Sequence, residues 1–123
     1  MATWPEVQQY LHSNFKQNLG MQAVAGGDAF AAEIDVEGGS EVVMVFNGGP
    51  ILQFVVFINS SKPINLELLL TSTQYFGIRR TGDGPYTLQH ISWMETVDAP
   101  EINLPLNLMA SEARRLKTLL GID

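Results

Sequence analysis

His12 and His90 are the chain's two imidazoles, the side chains best suited to move a proton or hold a metal near neutral pH. His12 falls beside the apolar stripe of an N-terminal helical segment. His90 falls in a β-like run with Gln89 and Ser92. Neither has the neighbouring ligands of a metal centre or the Ser and Asp partners of a nucleophilic triad. Glu33 and Asp35 alternate along one run, which sets them about 6–7 Å apart on one strand face. Paired carboxylates do acid–base work when a pocket raises the pKa of one of them. Here a solvated strand edge explains them. Arg79 and Arg80 point to opposite faces of their run and could meet Glu33, Asp35 or an acidic partner. Thr81-Gly82-Asp83-Gly84 has the look of a calcium loop, but the further oxygen ligands and the closing Glu are missing. Asp-Gly is also the usual hairpin dipeptide. No glycine run opens a helix with the spacing of a phosphate cradle. The expectation is a chain without catalytic residues, metal or cofactor, and so not an enzyme.

Composition narrows the partners. The 123 residues carry 7 basic and 13 acidic side chains, a net charge of −6. With four arginines among them, this balance disfavours nucleic acid and an anionic membrane surface. The absence of cysteine removes disulfides and thiolate chemistry. Apolar residues at 46% and charged residues at 16% fit one folded domain spanning 1–123. Met1-Ala2-Thr3-Trp4-Pro5-Glu6 has neither region of a signal peptide, so the cytoplasm is the expected compartment. The apolar run Val42 to Ile58 is broken by Asn47-Gly48-Gly49-Pro50, which makes it two strands and not a membrane span. Asn59-Ser60-Ser61 then reads as a loop and not as a glycosylation acceptor.

The elements that must position these residues follow from pattern. Thr3 caps a first helix, Pro5 suits its first turn and Glu6 completes a capping box. Trp4, Val7, Leu11, Phe15 and Leu19 form one helical face, and Gly20 ends it. Trp4 and Trp93 read as core anchors. Three β runs follow, Phe30–Val36, Glu41–Phe46 and Ile51–Ile58, with Gly38-Gly39 and Gly48-Gly49 as hairpin turns. With two-residue turns, Val36 faces Glu41 and Ile34 faces Val43, while Val45 faces Leu52. Lys62-Pro63 ends this meander. A short helix is expected over 65–73 with Asn65 as cap. Strands are expected over Tyr75–Thr81 and Tyr86–Glu95, and Asp98-Ala99-Pro100 reads as a break. A terminal helix is then expected from Asn103 to Leu120, closed by Gly121. The expected fold is α+β, a five-stranded antiparallel sheet with N- and C-terminal helices, in the order α-β-β-β-α-β-β-α.

One face of the meander collects Phe30, Ala32, Ile34, Val36, Val43, Val45, Leu52, Phe54, Val56 and Ile58, a core face. The other is acidic on its first strand, then apolar through Val42, Met44, Phe46, Ile51, Val55 and Phe57. A face turned only to water would alternate cleanly. Something must cover it: a helix of the same chain, a second subunit or a bound partner.

This order of elements resembles the type III secretion chaperone-like fold, including its YbjN-like bacterial branch. The capped helix from Thr3, the meander through Asp35-Val36-Glu37-Gly38-Gly39 and the step Tyr75-Phe76-Gly77 carry the resemblance. It implies a homodimer built around the middle helix and adjoining strands, without catalytic residues. In secretion chaperones, apolar patches hold an extended client segment. The expected function is therefore a non-enzymatic protein-interaction or chaperone-like module, a homodimer able to take a protein client. Its expected surface is Val42, Met44, Phe46, Val55 and Phe57 with Leu66, Leu69 and Leu70. The alternative is a small-ligand pocket between sheet and helices, lined by Tyr86, His90, Trp93 and Arg79.

Overall fold

The structure is a computed structural model that describes residues 3–58, 63–80 and 82–122. Met1-Ala2, Asn59-Ser60-Ser61 with the loop expected there, Lys62, Thr81 and Asp123 lie outside the described residues. The chain is α+β, as expected, but the described residues form four helices and a six-stranded antiparallel sheet where five strands were expected.

Helix α1 covers Trp4–Asn14, and the Thr3 side chain accepts from the Glu6 N–H as the sequence implies. The helix stops earlier than its apolar stripe suggests. Asn14 folds its side-chain amide back to donate to the Tyr10 carbonyl, and Phe15 is extended. Lys16–Gln17 then forms a two-residue strand, β1, and Asn18 caps a second helix, α2, over Leu19–Ala25. Gly20 thus lies inside a helix and does not end one. Neither β1 nor α2 was expected: a two-residue strand is too short to show a period, and α2 has no charged side to mark a stripe.

The meander is β2 (Ala29–Val36), β3 (Gly39–Asn47) and β4 (Ile51–Ile58). Its register differs from the expected one by two residues at both turns. Val36 faces Gly39 and Ile34 faces Glu41, so the first turn is Glu37-Gly38, with Gly38 in the left-handed region at φ +90°. Val45 faces Phe54, not Leu52. A shift of two preserves which side each residue takes, so both faces are as expected.

Helix α3 is Leu66–Ser72, with Asn65 accepting from the Leu68 N–H. Strand β5 (Gly77–Arg80) forms the outer edge, and β6 (Tyr86–Trp93) returns between β4 and β5, giving the order β1-β2-β3-β4-β6-β5. The last helix, α4, runs Ala99–Leu120 and begins where a break was expected. Asp98 accepts from the Glu101 N–H and Pro100 occupies the first turn, so the segment that looks like a breaker is a helix start. The helix continues through Pro105, whose missing N–H removes one bond but whose ring is buried.

Helices α1, α3 and α4 share the core side. Val7 and Leu11 from α1, Leu69 from α3 and Ile102, Leu106, Met109 and Leu116 from α4 close over Phe30, Val45, Phe54, Val56 and Leu88 of the sheet.

Candidate functional site

The core side also holds the buried charges. Glu41 is 3% exposed on β3, on the same side as Val43. Its two carboxylate oxygens take Arg114 Nη2 and Lys117 Nζ from α4, each at 2.5 Å. Glu112, also buried, accepts from the Gln74 N–H and from Arg115, whose Nη2 also donates to the Ser72 carbonyl. These carboxylates fasten α4 to β3 and to the end of α3. Glu33 is likewise engaged, with Lys16 at 2.7 Å and Asn18 at 3.0 Å. Lys16, then Asn18, hold its carboxyl below the usual range, and the Lys16 ammonium is raised in turn. Each of these acids is the partner of a structural cation, and Asp35 is exposed as expected.

The residues of the ligand alternative do not converge. Tyr86 and His90 belong to the core side, opposite Ile58 and Phe54, whereas Trp93 and Arg79 point to the other face, opposite Ile51 and Thr87. Arg80 meets neither Glu33 nor Asp35; it stacks on the Tyr86 ring and bonds the Gly84 carbonyl. His12 sets its ring edge-on to Phe30 from an exposed position. His90 lies between Phe54 and Phe76, and burial lowers its pKa from the ordinary value near 6.5. The unfolded chain therefore binds that proton more readily, and the fold loses stability as pH falls from about 6.5 toward the lowered value. Urea midpoints compared at pH 7.5 and 5.5 should fall more for wild type than for His90→Gln; equal falls would refute this origin.

The second face has a different structure. Over β2 and β3 it is covered, by an element the sequence analysis did not anticipate. Met21 and Ala25 of α2 pack on Ala29, Ala31, Met44 and Val55, flanked by half-buried Val42, Phe46 and Phe57. Alanine at 29 and 31 leaves room for a helix to lie close. The Gln22 side chain fixes it there: its amide donates to the Ala29 carbonyl and accepts from the Ala31 N–H, in the manner of a neighbouring strand. Met44 and Val55, expected on a partner surface, are thus buried in the cluster that α2 joins, with Val55 at its margin beside the open half. Helix α3 does not cover this face at all. Leu69 is in the core, while Leu66 and Leu70 are exposed on the core-side layer, where α3 is tied to α4. The eight expected surface residues therefore do not form one surface.

Beyond Val55 the second face is open. Its floor is Ile51, Gln53 and Phe57 of β4 with Gln89, Ile91 and Trp93 of β6, and Arg79 of β5 lies at the margin. Ile91 is 56% and Trp93 66% exposed. Trp93, expected in the core, is instead the largest exposed apolar side chain of this face. A tryptophan at the end of a strand carries no sequence mark of which way it points; only the register with Ile51 decides it. Between the apolar ends, Gln53 donates to Gln89, Gln89 to Thr87, and Thr87 to the Arg79 carbonyl, at 3.1 Å each. These three bonds link the side chains across β4, β6 and β5 and use one N–H of each glutamine amide. One hollow is lined by Val55, Phe57, Thr87 and Gln89 with Arg79, Gly84 and Pro85. A second adjoins Trp93, with Gly49, Pro50, Met94, Glu95 and Thr96.

Among the described residues, no group of three His, Asp or Glu side chains is placed to hold a metal ion, and no helix is long and apolar enough to cross a membrane. Comparison with known proteins yields no match: no family model, no curated protein and no solved structure aligns with the chain.

Proposed function

We propose that the protein is a non-enzymatic, chaperone-like interaction module that works as a homodimer, joined through the open half of its second sheet face. The observation that carries this is the uncovered strip of Ile51, Phe57, Ile91 and Trp93 on β4 and β6, beside the half that α2 covers. Exposed aromatics and aliphatics grouped on one flat face are characteristic of protein contacts, and strands that are apolar on both sides ask for a second layer. The partner favoured is a second copy. The strip's strand residues include no carboxylate in a chain of net charge −6, and Glu95 in the hollow beside Trp93 stands at its end, so two copies meet over the strands themselves without opposing acids. The second-face position makes Val42 and Phe46 a flank of the contact. The resemblance to secretion chaperones agrees on a homodimer but not on its seam, since it implies the middle helix, and α3 packs on the core side.

The test is a double variant, Ile91→Glu with Trp93→Glu, in sedimentation equilibrium. Both positions are more than half exposed, so the monomer keeps its fold. Self-association should weaken by about a hundredfold or more, because four carboxylates enter one two-fold contact. An unchanged mass for the folded variant refutes the reading.

A further inference from the structure

We infer that α2 of each copy lies in the open trough of the other, so that the dimer is closed by two reciprocal helix-in-trough contacts. This rests on the proposed association through the open half-face and adds the element that fills it.

Helix α2 is apolar on the wrong side for a surface helix. Its seven residues, Leu19–Ala25, include no charged side chain. The inner side supplies Met21 and Ala25 to the sheet. The outer side supplies Leu19, Ala23 and Val24, with Leu19 75% and Val24 84% exposed. Gln22 is the helix's single polar side chain, and its amide is spent inward on Gly26, Ala29 and Ala31. A helix laid on a sheet ordinarily turns its polar face to water. This one turns an uncharged apolar ridge outward.

The ridge and the trough are adjacent and comparable in size. A helix stands about 10 Å thick above the sheet, and seven residues run about 10 Å along the axis. Strands β4, β6 and β5 beside it span about 10 Å across. The second face is therefore a step, high over β2 and β3 and low over β4, β6 and β5. A two-fold axis sets the high half of one copy into the low half of the other, which is the self-complementarity an isologous contact requires. The same operation brings Leu19 and Val24 onto Ile91 and Trp93 twice. Neither the ridge nor the strand residues of the trough carry a carboxylate, and the trough's margins carry Arg79 at one end and Glu95 beside Trp93 at the other.

The test uses the full chain with Val24→Lys, Ile91→Glu and an equimolar mixture of the two, each checked for an unchanged circular dichroism spectrum and analysed by sedimentation equilibrium. Either variant alone should associate about tenfold or more weakly than wild type. The mixture should regain the dimer, since one contact pairs the introduced cation with the introduced carboxylate and the other is unaltered. A Val24→Lys chain as dimeric as wild type, with Ile91→Glu monomeric, overturns the role of α2 and leaves the open-face contact standing. A mixture that stays monomeric overturns the reciprocal pairing. Wild-type mass in both variants, or a monomeric wild type, overturns both ideas. Leu19→Lys is the second ridge variant should Val24→Lys misfold.

Discussion

Glu41→Ala should lower the unfolding free energy by about 3 kcal/mol in urea denaturation. The Glu41 carboxylate is almost wholly buried and holds both Arg114 and Lys117, whose side chains are themselves 28% and 14% exposed. Arg114 Nε is buried without a hydrogen-bond partner, so that guanidinium has little to spare. Removing the acid leaves two poorly solvated cations facing a gap between β3 and α4. The cost comes from stranding charge and not from the worth of the ion pairs, which a well-packed apolar substitute can match. The triple variant Glu41→Leu, Arg114→Met, Lys117→Met should therefore recover most of the loss. A cost below about 1 kcal/mol for Glu41→Ala would mean that water reaches the site and solvates the cations.

Phe54→Ala should be at least as damaging, at about 4 kcal/mol. The ring is fully buried at the centre of the sheet, opposite Val45 and His90 on the neighbouring strands. It also walls in His90, with ring centroids 5.7 Å apart. The variant carries a second expectation. With the wall gone, water should reach the imidazole, and its pKa should rise back toward the ordinary value. Urea denaturation measures the first effect, and a proton NMR titration of His90 measures the second. A large loss of stability with an unmoved His90 titration would show that Phe76 or the helices, not Phe54, keep water from it.

The two sheet faces were legible in the sequence because a period of two survives a register error of two. The turn at Glu37-Gly38 replaces Gly38-Gly39 as the hinge, yet Phe30, Val45 and Phe54 still face the core. The caps at Thr3, Asn65 and Gly121 were legible for a related reason, since each depends on one side chain or one backbone angle acting locally. Helix α2 was hidden because its pattern is nearly uniform: Leu19-Gly20-Met21-Gln22-Ala23-Val24-Ala25 has no polar side to define a stripe. That same lack of a polar side is what leaves its outer ridge exposed and apolar. The start of α4 was misplaced because Asp98-Ala99-Pro100 uses breaker residues in capping positions.

The candidate surface was half legible. Alternation put Val42, Met44, Phe46, Val55 and Phe57 on one side, and the need for a second layer followed from their composition. What alternation could not supply was which part the chain covers for itself. That depends on tertiary placement, with α2 on the cluster of Ala29, Ala31 and Met44 and α3 on the opposite side of the sheet. Ile91 and Trp93, the most exposed part of the face, were missed because their strand joins the sheet next to β4 only through a long connection. The signal for Glu41 was present: it shares the parity of Val43 and Val45, and Arg114 and Lys117 stand one helical turn apart to receive it.

The central claim is that two copies meet through the open half of the second face. Sedimentation equilibrium of the wild-type chain tests it most directly. A mass of twice the 13.6 kDa chain, falling to one chain when Ile91 and Trp93 become glutamate, is the predicted result. A single 13.6 kDa species for the wild type at high micromolar concentration would contradict it.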